Sequence, residues 1–259
     1  MRIAILSDIH GNLPALEAVV NHMHRRGVDM VVNLGDSASG PLLPRETVRF
    51  LMAQDWIQLA GNHERQVLAL NPDAPDNMAR QPSDAYARAQ LGVRELAWMA
   101  SLKSCQRLNE QVLLCHGTPR SDLEYFLEST EPDSPHVRLA TPDEVAQRLG
   151  DAQAELVVCG HTHVPRSVRA PNGTLIVNPG SVGLQAYDDG HPTFHLIENG
   201  SPDARYAIVE RINGEWTSGL VSVPYDYRPM AELAQRNGRP DWAHALRTGY
   251  MPTPRSTTA

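Results

Sequence analysis

Five times between positions 3 and 163 a short apolar run stops at a small residue beside an aspartate, asparagine or histidine. The stops are Ser7-Asp8-Ile9-His10, Gly35-Asp36, Gly61-Asn62-His63-Glu64, His116-Gly117 and Gly160-His161-Thr162-His163. Each preceding run is four or five residues of β-branched and aliphatic type, which reads as a buried strand. Amphipathic stretches separate the runs. Asn12 reads as an N-cap, Pro14 lies in the first turn, and Gly27 stops a helix near Arg26. Further helices are expected over 44–54, 84–99 and 145–149. Strand, turn, helix, strand is the rhythm of an α/β layer with parallel strands. In such a sheet the C-terminal strand ends open on one edge, where ligand sites form. Residues more than 150 positions apart can therefore meet in one crevice.

After residue 164 the rhythm changes. Short runs over 166–170, 175–178, 193–198, 205–212 and 217–223 are separated by Asn-Gly, Gly-Ser or Gly-Glu turns, the pattern of antiparallel hairpins. Two short helices are expected over 230–237 and 241–247. Residues 71–83 read as a loop. Residues 118–142 are proline-dotted and irregular, and a loop that long suits a functional flap better than a simple connection. With no repeat and no linker, a single domain over 1–251 and a flexible tail over 252–259 are expected.

Composition narrows the class of function. With 41% hydrophobic and 20% charged residues the chain is not a disordered one. A formal net charge of −7 argues against general nucleic-acid binding, though not against a phosphate-bearing substrate whose charge is met by bound metal. Three cysteines are too few for a disulfide framework, which points to the cytoplasm. No apolar run reaches the ~18 residues that would span a membrane. The first run is too short for a signal-peptide core.

Carboxylate, amide oxygen and imidazole at the five stops fit the shell of a borderline divalent ion such as Mn, Fe, Zn, Co or Ni. Seven such residues are too many for one catalytic zinc but suit two ions sharing a carboxylate. The ordered set Asp-x-His, Gly-Asp, Gly-Asn-His-Glu, His, Gly-His-x-His resembles the motif series of the calcineurin-like metallophosphoesterase superfamily. Asn178-Pro179-Gly180-Ser181-Val182-Gly183 is similar to a segment of its small prokaryotic phosphodiesterase branch, and the C-terminal helices extend the likeness over nearly the whole chain.

The resemblance implies a four-layer αββα sandwich of two mixed sheets flanked by helices. It also implies two divalent metal ions, with manganese the first choice for assay. Asp8, His10 and His163 would bind one ion, Asn62, His116 and His161 the other, and Asp36 would bridge them. A hydroxide between the ions would attack phosphorus in line while His63 assists the leaving group. The stretch Ser37-Ala38-Ser39-Gly40-Pro41 lacks the arginine of the protein phosphatases and symmetrical dinucleoside-tetraphosphate hydrolases, and Ala60 stands where protein phosphatases place another. Without that clamp on a monoester dianion, a phosphodiesterase is favoured. Phosphomonoesterase, nucleotide pyrophosphohydrolase and a non-catalytic protein-binding scaffold are the alternatives. Arg65, Arg120 and Arg166 are the candidate replacements for the clamp. The expected partner is a small phosphoester or nucleotide-like substrate, with no membrane and no nucleic acid; the sequence leaves oligomeric state open.

Several residues have plain structural readings. Asn12 is a cap, Glu64 favours a helix N-terminus, and Cys115 and Cys159 are small core residues. His22, His24, His136, His191, His195 and His244 have no matching partners, although His191 and His195 fall in the hairpin region. Tyr125 and Phe126 either stack on a base or anchor their loop.

Overall fold

The computed structural model describes residues 1–71 and 81–252. Most of the expected 71–83 loop and nearly all of the expected 252–259 tail lie outside the described residues. Two five-stranded mixed sheets form the centre. The first joins parallel β1 (Arg2–Leu6), β2 (Met30–Asn33) and β3 (Ile57–Gln58) to the antiparallel hairpin β13 (Ala204–Ile212) and β14 (Glu215–Val223), in the order β14-β13-β1-β2-β3. The second has the order β4-β5-β8-β10-β9. Its parallel strands are β5 (Val112–Cys115), β8 (Leu156–Val158) and β10 (Leu175–Asn178). Antiparallel β4 (Cys105–Arg107) and β9 (Arg166–Arg169) form its edges.

The apolar runs are continuous because the parallel strands β1, β2, β5, β8 and β10 are buried on both faces. Ile3, Ile5, Val32 and Leu34 of the first sheet meet Val112, Leu114, Leu156 and Val158 of the second in one core. The alternate residues Ala4, Leu6 and Val31 face α1 (Leu13–Arg26), which buries Leu16, Val19 and Met23 against them. Each such aliphatic side chain contributes about 1.5–3 kcal/mol by burial. On the far side, Val145 and Leu149 of α6 (Pro142–Leu149) cover Val157, Cys159 and Cys115. This is the expected helix, sheet, sheet, helix order. Asn12 caps α1 by accepting the Ala15 N–H, and Gly27 ends it in the left-handed conformation, as the sequence predicts. Both buried thiols are pushed up in pKa by desolvation, as befits core cysteines.

Three expectations need correction. The helix over 84–99 is two helices, α4 (Pro82–Gln90) and α5 (Val93–Ser101). The break falls at Gly92, whose N–H is accepted by the Glu95 carboxylate to start α5 afresh. Residues 118–142 are not an irregular flap. They contain β6 (Glu128–Glu131) and β7 (Ser134–Leu139), which join β11 (Ala186–Asp189) and β12 (His195–Glu198) in a third sheet ordered β11-β12-β7-β6. The period-two signal was weak there because β7 is exposed or half-buried along its length. The helix expected over 145–149 starts earlier, since Thr141 and Glu144 form a reciprocal capping box. The remaining helices are α2 (Pro44–Met52), α3 (Asn62–Ala69), α7 (Arg228–Arg236) and α8 (Pro240–Thr248). No helix among the described residues is long and apolar enough to cross a membrane.

Candidate metal centre and its cavity

The five stops do converge. Donor atoms of Asp8, His10 and His163 lie within 4.8 Å of one another, and so do those of Asp36, His116 and His161; each trio could hold a metal ion. All follow the C-terminal ends of β1, β2, β5 and β8. Asn62, the first residue of α3, places Oδ1 3.1 Å from His116 Nε2. Asp36 Oδ2 is 3.1 Å from the same nitrogen, and its Oδ1 accepts the His63 N–H at 2.9 Å.

The chain bends sharply to achieve this. Asp8, His10, Asp36, His161 and His163 all have positive φ, between 52° and 69°. Among the described non-glycine residues only Asn213, in a hairpin turn, shares that conformation. Such residues cost about 1–3 kcal/mol each and persist only where their surroundings hold them. Here they are tied across the strand ends: Asp8 N–H donates to Gly35 O, His10 N–H to Asp36 O, His161 N–H to Asp8 Oδ2, and Ser181 Oγ to Asp8 O. Glu64 adds a clamp that the sequence reading missed. Its buried carboxylate accepts the N–H groups of Asp36, Ser37 and Gly61, each at 2.7 Å, so it holds the Asp36 turn against the start of α3. Gly61 must be glycine for the same closeness. A β-carbon there would collide with Asp36 Oδ1 and lie 2.6 Å from His116 Cε1.

The polar atoms fit a cation. His163 Nδ1 gives its hydrogen to the Leu184 carbonyl at 2.7 Å, leaving Nε2 bare. That nitrogen faces His10 Nε2 at 3.0 Å and Asp8 Oδ1 at 3.5 Å, and Asp8 Oδ1 is buried with no hydrogen-bond partner. His10 is oriented by Ser39 Oγ, 2.8 Å from Nδ1. His116 Nδ1 donates to Leu34 O, and His161 Nε2 donates to Leu123 O, so each presents its other nitrogen. Backbone carbonyls setting the tautomer in this way is the usual outer support of a metal ligand. Burial raises the Asp8 carboxyl to about 7 and lowers His10 and His161 to about 3. Burial also works against a charged His116, but Asp36 beside it prevails and lifts the imidazole to about 10. The cluster thus draws positive charge to the point between His116 and Asp36.

His63 stands beside the donors and is not among either trio. Its Nδ1 donates to Asp84 Oδ1 at 2.7 Å, and its ring meets His10 edge-on at 5.5 Å. Burial pulls its pKa down, but Asp36 and Asp84 outweigh this and raise it to about 9. Asp84 carried no sequence signal, since it comes from α4, 21 positions further along the chain than His63.

The centre opens into a cavity of about 1020 Å³. None of Arg65, Arg120 and Arg166 lines it. Arg65 is forked onto Asp122, Arg120 donates to Gln147 O, and Arg166 pairs with Glu128. Residues 118–127 are fastened to the centre, by the Arg65–Asp122 pair and by Leu123 O on His161. Tyr125 lines the cavity while Phe126 is buried in the core beneath. The Tyr125 hydroxyl lies 2.7 Å from that of Tyr187 and donates to His195 Nε2 at 2.9 Å. His195 is therefore a buried structural partner, and His191 lines the cavity from the exposed side. His22 bonds the Tyr206 hydroxyl, away from the site.

Comparison with known proteins agrees with this geometry. A metallophosphoesterase from Sphaerobacter thermophilus superposes with a TM-score of 0.74 at 26% identity, covering 96% of this chain and 99% of that one. The hypothetical protein PH1004 from Pyrococcus horikoshii OT3 shares the fold at TM-score 0.74 and 16% identity, over 97% and 99% of the two chains. The uncharacterized protein MJ0912 of Methanocaldococcus jannaschii is 25% identical over 248 residues, 93% of this chain and 94% of its own. The profile of the calcineurin-like phosphoesterase superfamily domain matches residues 1–200. On that match, and with its two trios of metal-binding type, the chain belongs to the calcineurin-like phosphoesterase superfamily, a family of metal-dependent hydrolases.

Proposed function

We propose that the protein hydrolyses phosphodiesters with two divalent ions. Asp8, His10 and His163 would hold one ion, and His116 and His161, with Asn62 and Asp36 beside them, would hold the other. The observation that carries this reading is the pair of donor trios with His63 beside them on one cavity wall. The ions would supply an activated water and neutralise charge on the phosphoryl oxygens.

The chain's own residues do the rest. Asp84 holds the His63 ring by Nδ1, which leaves Nε2–H free to face an oxygen leaving phosphorus. Asp84 beside it favours the protonated imidazole, so His63 can carry the proton that a departing alkoxide needs. Ser39 and the carbonyls of Leu34, Leu123 and Leu184 keep the imidazoles aimed. The diester preference rests on the arginines. A monoester dianion is usually gripped by a free guanidinium fork. The two arginines on the cavity wall, Arg148 and Arg239, are tied to protein oxygens, Arg148 to Phe126 O, Glu128 O and Ser129 Oγ and Arg239 to Asp241 and Ser83 Oγ.

The test compares bis-p-nitrophenyl phosphate and p-nitrophenyl phosphate with the Mn²⁺-loaded protein. Faster, EDTA-sensitive turnover of the diester is expected. His63→Asn should lower kcat by about 10²–10⁴-fold at unchanged metal content. Absence of turnover on both substrates would overturn the enzymatic reading, and faster monoester turnover would overturn the diester preference.

A further inference from the structure

His161 and His163, one from each donor trio, are supported by the same local arrangement. Each has one ring nitrogen bonded to a leucine carbonyl, His161 Nε2 to Leu123 O at 3.0 Å and His163 Nδ1 to Leu184 O at 2.7 Å. Each also meets the ring of a tyrosine that closely follows that leucine in the chain. Tyr125 meets His161 with ring centroids 5.1 Å apart at 73°, and Tyr187 meets His163 at 4.7 Å and 65°. A hydrogen bond at one nitrogen fixes where that nitrogen points but leaves the ring free to roll about the bond. An edge-to-face aromatic contact removes that freedom, because its preferred geometry sets the angle between the rings. Together the two constraints fix the remaining nitrogen of each imidazole.

The two tyrosines are themselves joined. Their hydroxyls lie 2.7 Å apart, and that of Tyr187 is 3.3 Å from the His161 carbonyl. His195, a fully buried residue of β12, sets the direction of this chain. Its Nδ1 donates to Thr193 O at 2.8 Å, so its Nε2 is an acceptor and takes the Tyr125 hydrogen at 2.9 Å. The Tyr125 oxygen in turn accepts from Tyr187. Each hydroxyl has a single hydrogen, and both hydrogens are used inside the protein, so neither tyrosine has one left for a phosphoryl oxygen. A polar chain whose members are all satisfied holds its residues rigidly.

Resting on the two-ion reading above, we infer that His195 is a positioning residue for both metal sites, acting through the hydroxyl-linked pair Tyr125 and Tyr187, which fixes the ring planes of His161 and His163. The chain ties residues 118–127 to the third sheet, so two segments that each carry a leucine carbonyl and a tyrosine ring move as one. His195 belongs to neither donor trio and acts on both. Without its Nε2 the Tyr125 hydroxyl loses its acceptor, the chain loses its buried anchor, and both imidazoles lose a fixed tilt.

Three variants test this. His195→Phe removes the acceptor, Tyr125→Phe removes the hydroxyl and keeps the ring, and His195→Gln returns an acceptor oxygen. Each is checked for folding by thermal melting, loaded with Co²⁺, and read by visible absorption, which follows the geometry around the ion. Stepwise competition with a chelator gives the affinity of each ion. Expected in His195→Phe and Tyr125→Phe are a changed cobalt spectrum and about tenfold weaker binding of both ions, the size of loss that follows removal of a metal ligand's outer support. His195→Gln should return spectrum and affinities most of the way to those of the parent. Tyr125→Phe carries the test should His195→Phe fail to fold. Folded His195→Phe and Tyr125→Phe proteins with the parent's spectrum and affinities would overturn the inference, whatever their melting temperatures, and leave the two-ion reading standing. A change confined to one ion would overturn it too. A parent protein that binds fewer than two Co²⁺ ions would overturn the two-ion reading and the inference with it.

Discussion

Two parts of the cavity are built on opposite plans. The donor floor is made of parallel strand ends, with five left-handed residues locked by cross-strand hydrogen bonds and donor atoms almost wholly buried. The opposite wall comes from connecting segments, namely residues 118–127, the third sheet and α8, and its carboxylates Asp188 and Asp189 are exposed or half-buried. The floor has little room for displacement, because the positions of its candidate ligands depend on hydrogen bonds to neighbouring strand ends. The wall can change its side chains without disturbing the strands. Under the proposed function, the chemistry falls to the floor and the choice of substrate to the wall.

The sharpest test of that division is Asp36→Asn. It removes a carboxylate shared by the whole cluster, so kcat should fall by about 10³-fold or more, because several kcal/mol of charge stabilisation go with it. Metal analysis of the purified variant should show fewer than two ions. Two ions retained with near-normal turnover would break the assignment of the floor.

Metal uptake should also report the floor's charge. In the metal-free protein burial raises the Asp8 carboxyl to about 7 and Asp36 lifts His116 to about 10, so both groups hold protons near neutral pH. Ligation must displace these protons, so binding releases about one to two of them and affinity rises by about 10–100-fold per pH unit near neutrality. Calorimetry in buffers of different ionisation enthalpy counts the protons. Zero release would mean that neither Asp8 nor His116 is a ligand.

Asp84→Asn addresses the boundary between floor and wall. A support of this kind is worth about 10–100-fold in activity. Asp84 raises the His63 pKa, so loss of its charge should move the alkaline limb of the kcat profile to lower pH. A uniform drop with an unmoved profile would make Asp84 merely structural. The smallest effect is expected at Arg65→Ala. Arg65 is 53% exposed in its pair with Asp122, and such surface pairs contribute about 0–1 kcal/mol. Thermal melting should move little, and kcat should stay within a few-fold; a large loss would show that Arg65 reaches the substrate after all.

The floor was legible in the sequence because its signals are local. Each donor sits directly after an apolar run, and Asp and His are among the few side chains that enter the left-handed region with modest strain. The strands announced themselves through burial on both faces. Exposed β7 did not, nor did the break at Gly92, where one glutamate restarts a helix. Glu64 stood in a recognised motif, yet its grip on the Asp36 turn depends on β2 and α3 lying side by side.

By itself the sequence determined the α/β layering, which follows from hydrophobic period, and put forward the candidate donors and His63 through short motifs that resemble those of the family. Only the tertiary structure decided that Asp84 holds His63 and that Arg65, Arg120 and Arg166 are turned to other partners. Those outcomes depend on through-space distances between segments far apart in the chain, where a competing partner a few ångströms away determines what an arginine or a carboxylate is free to bind.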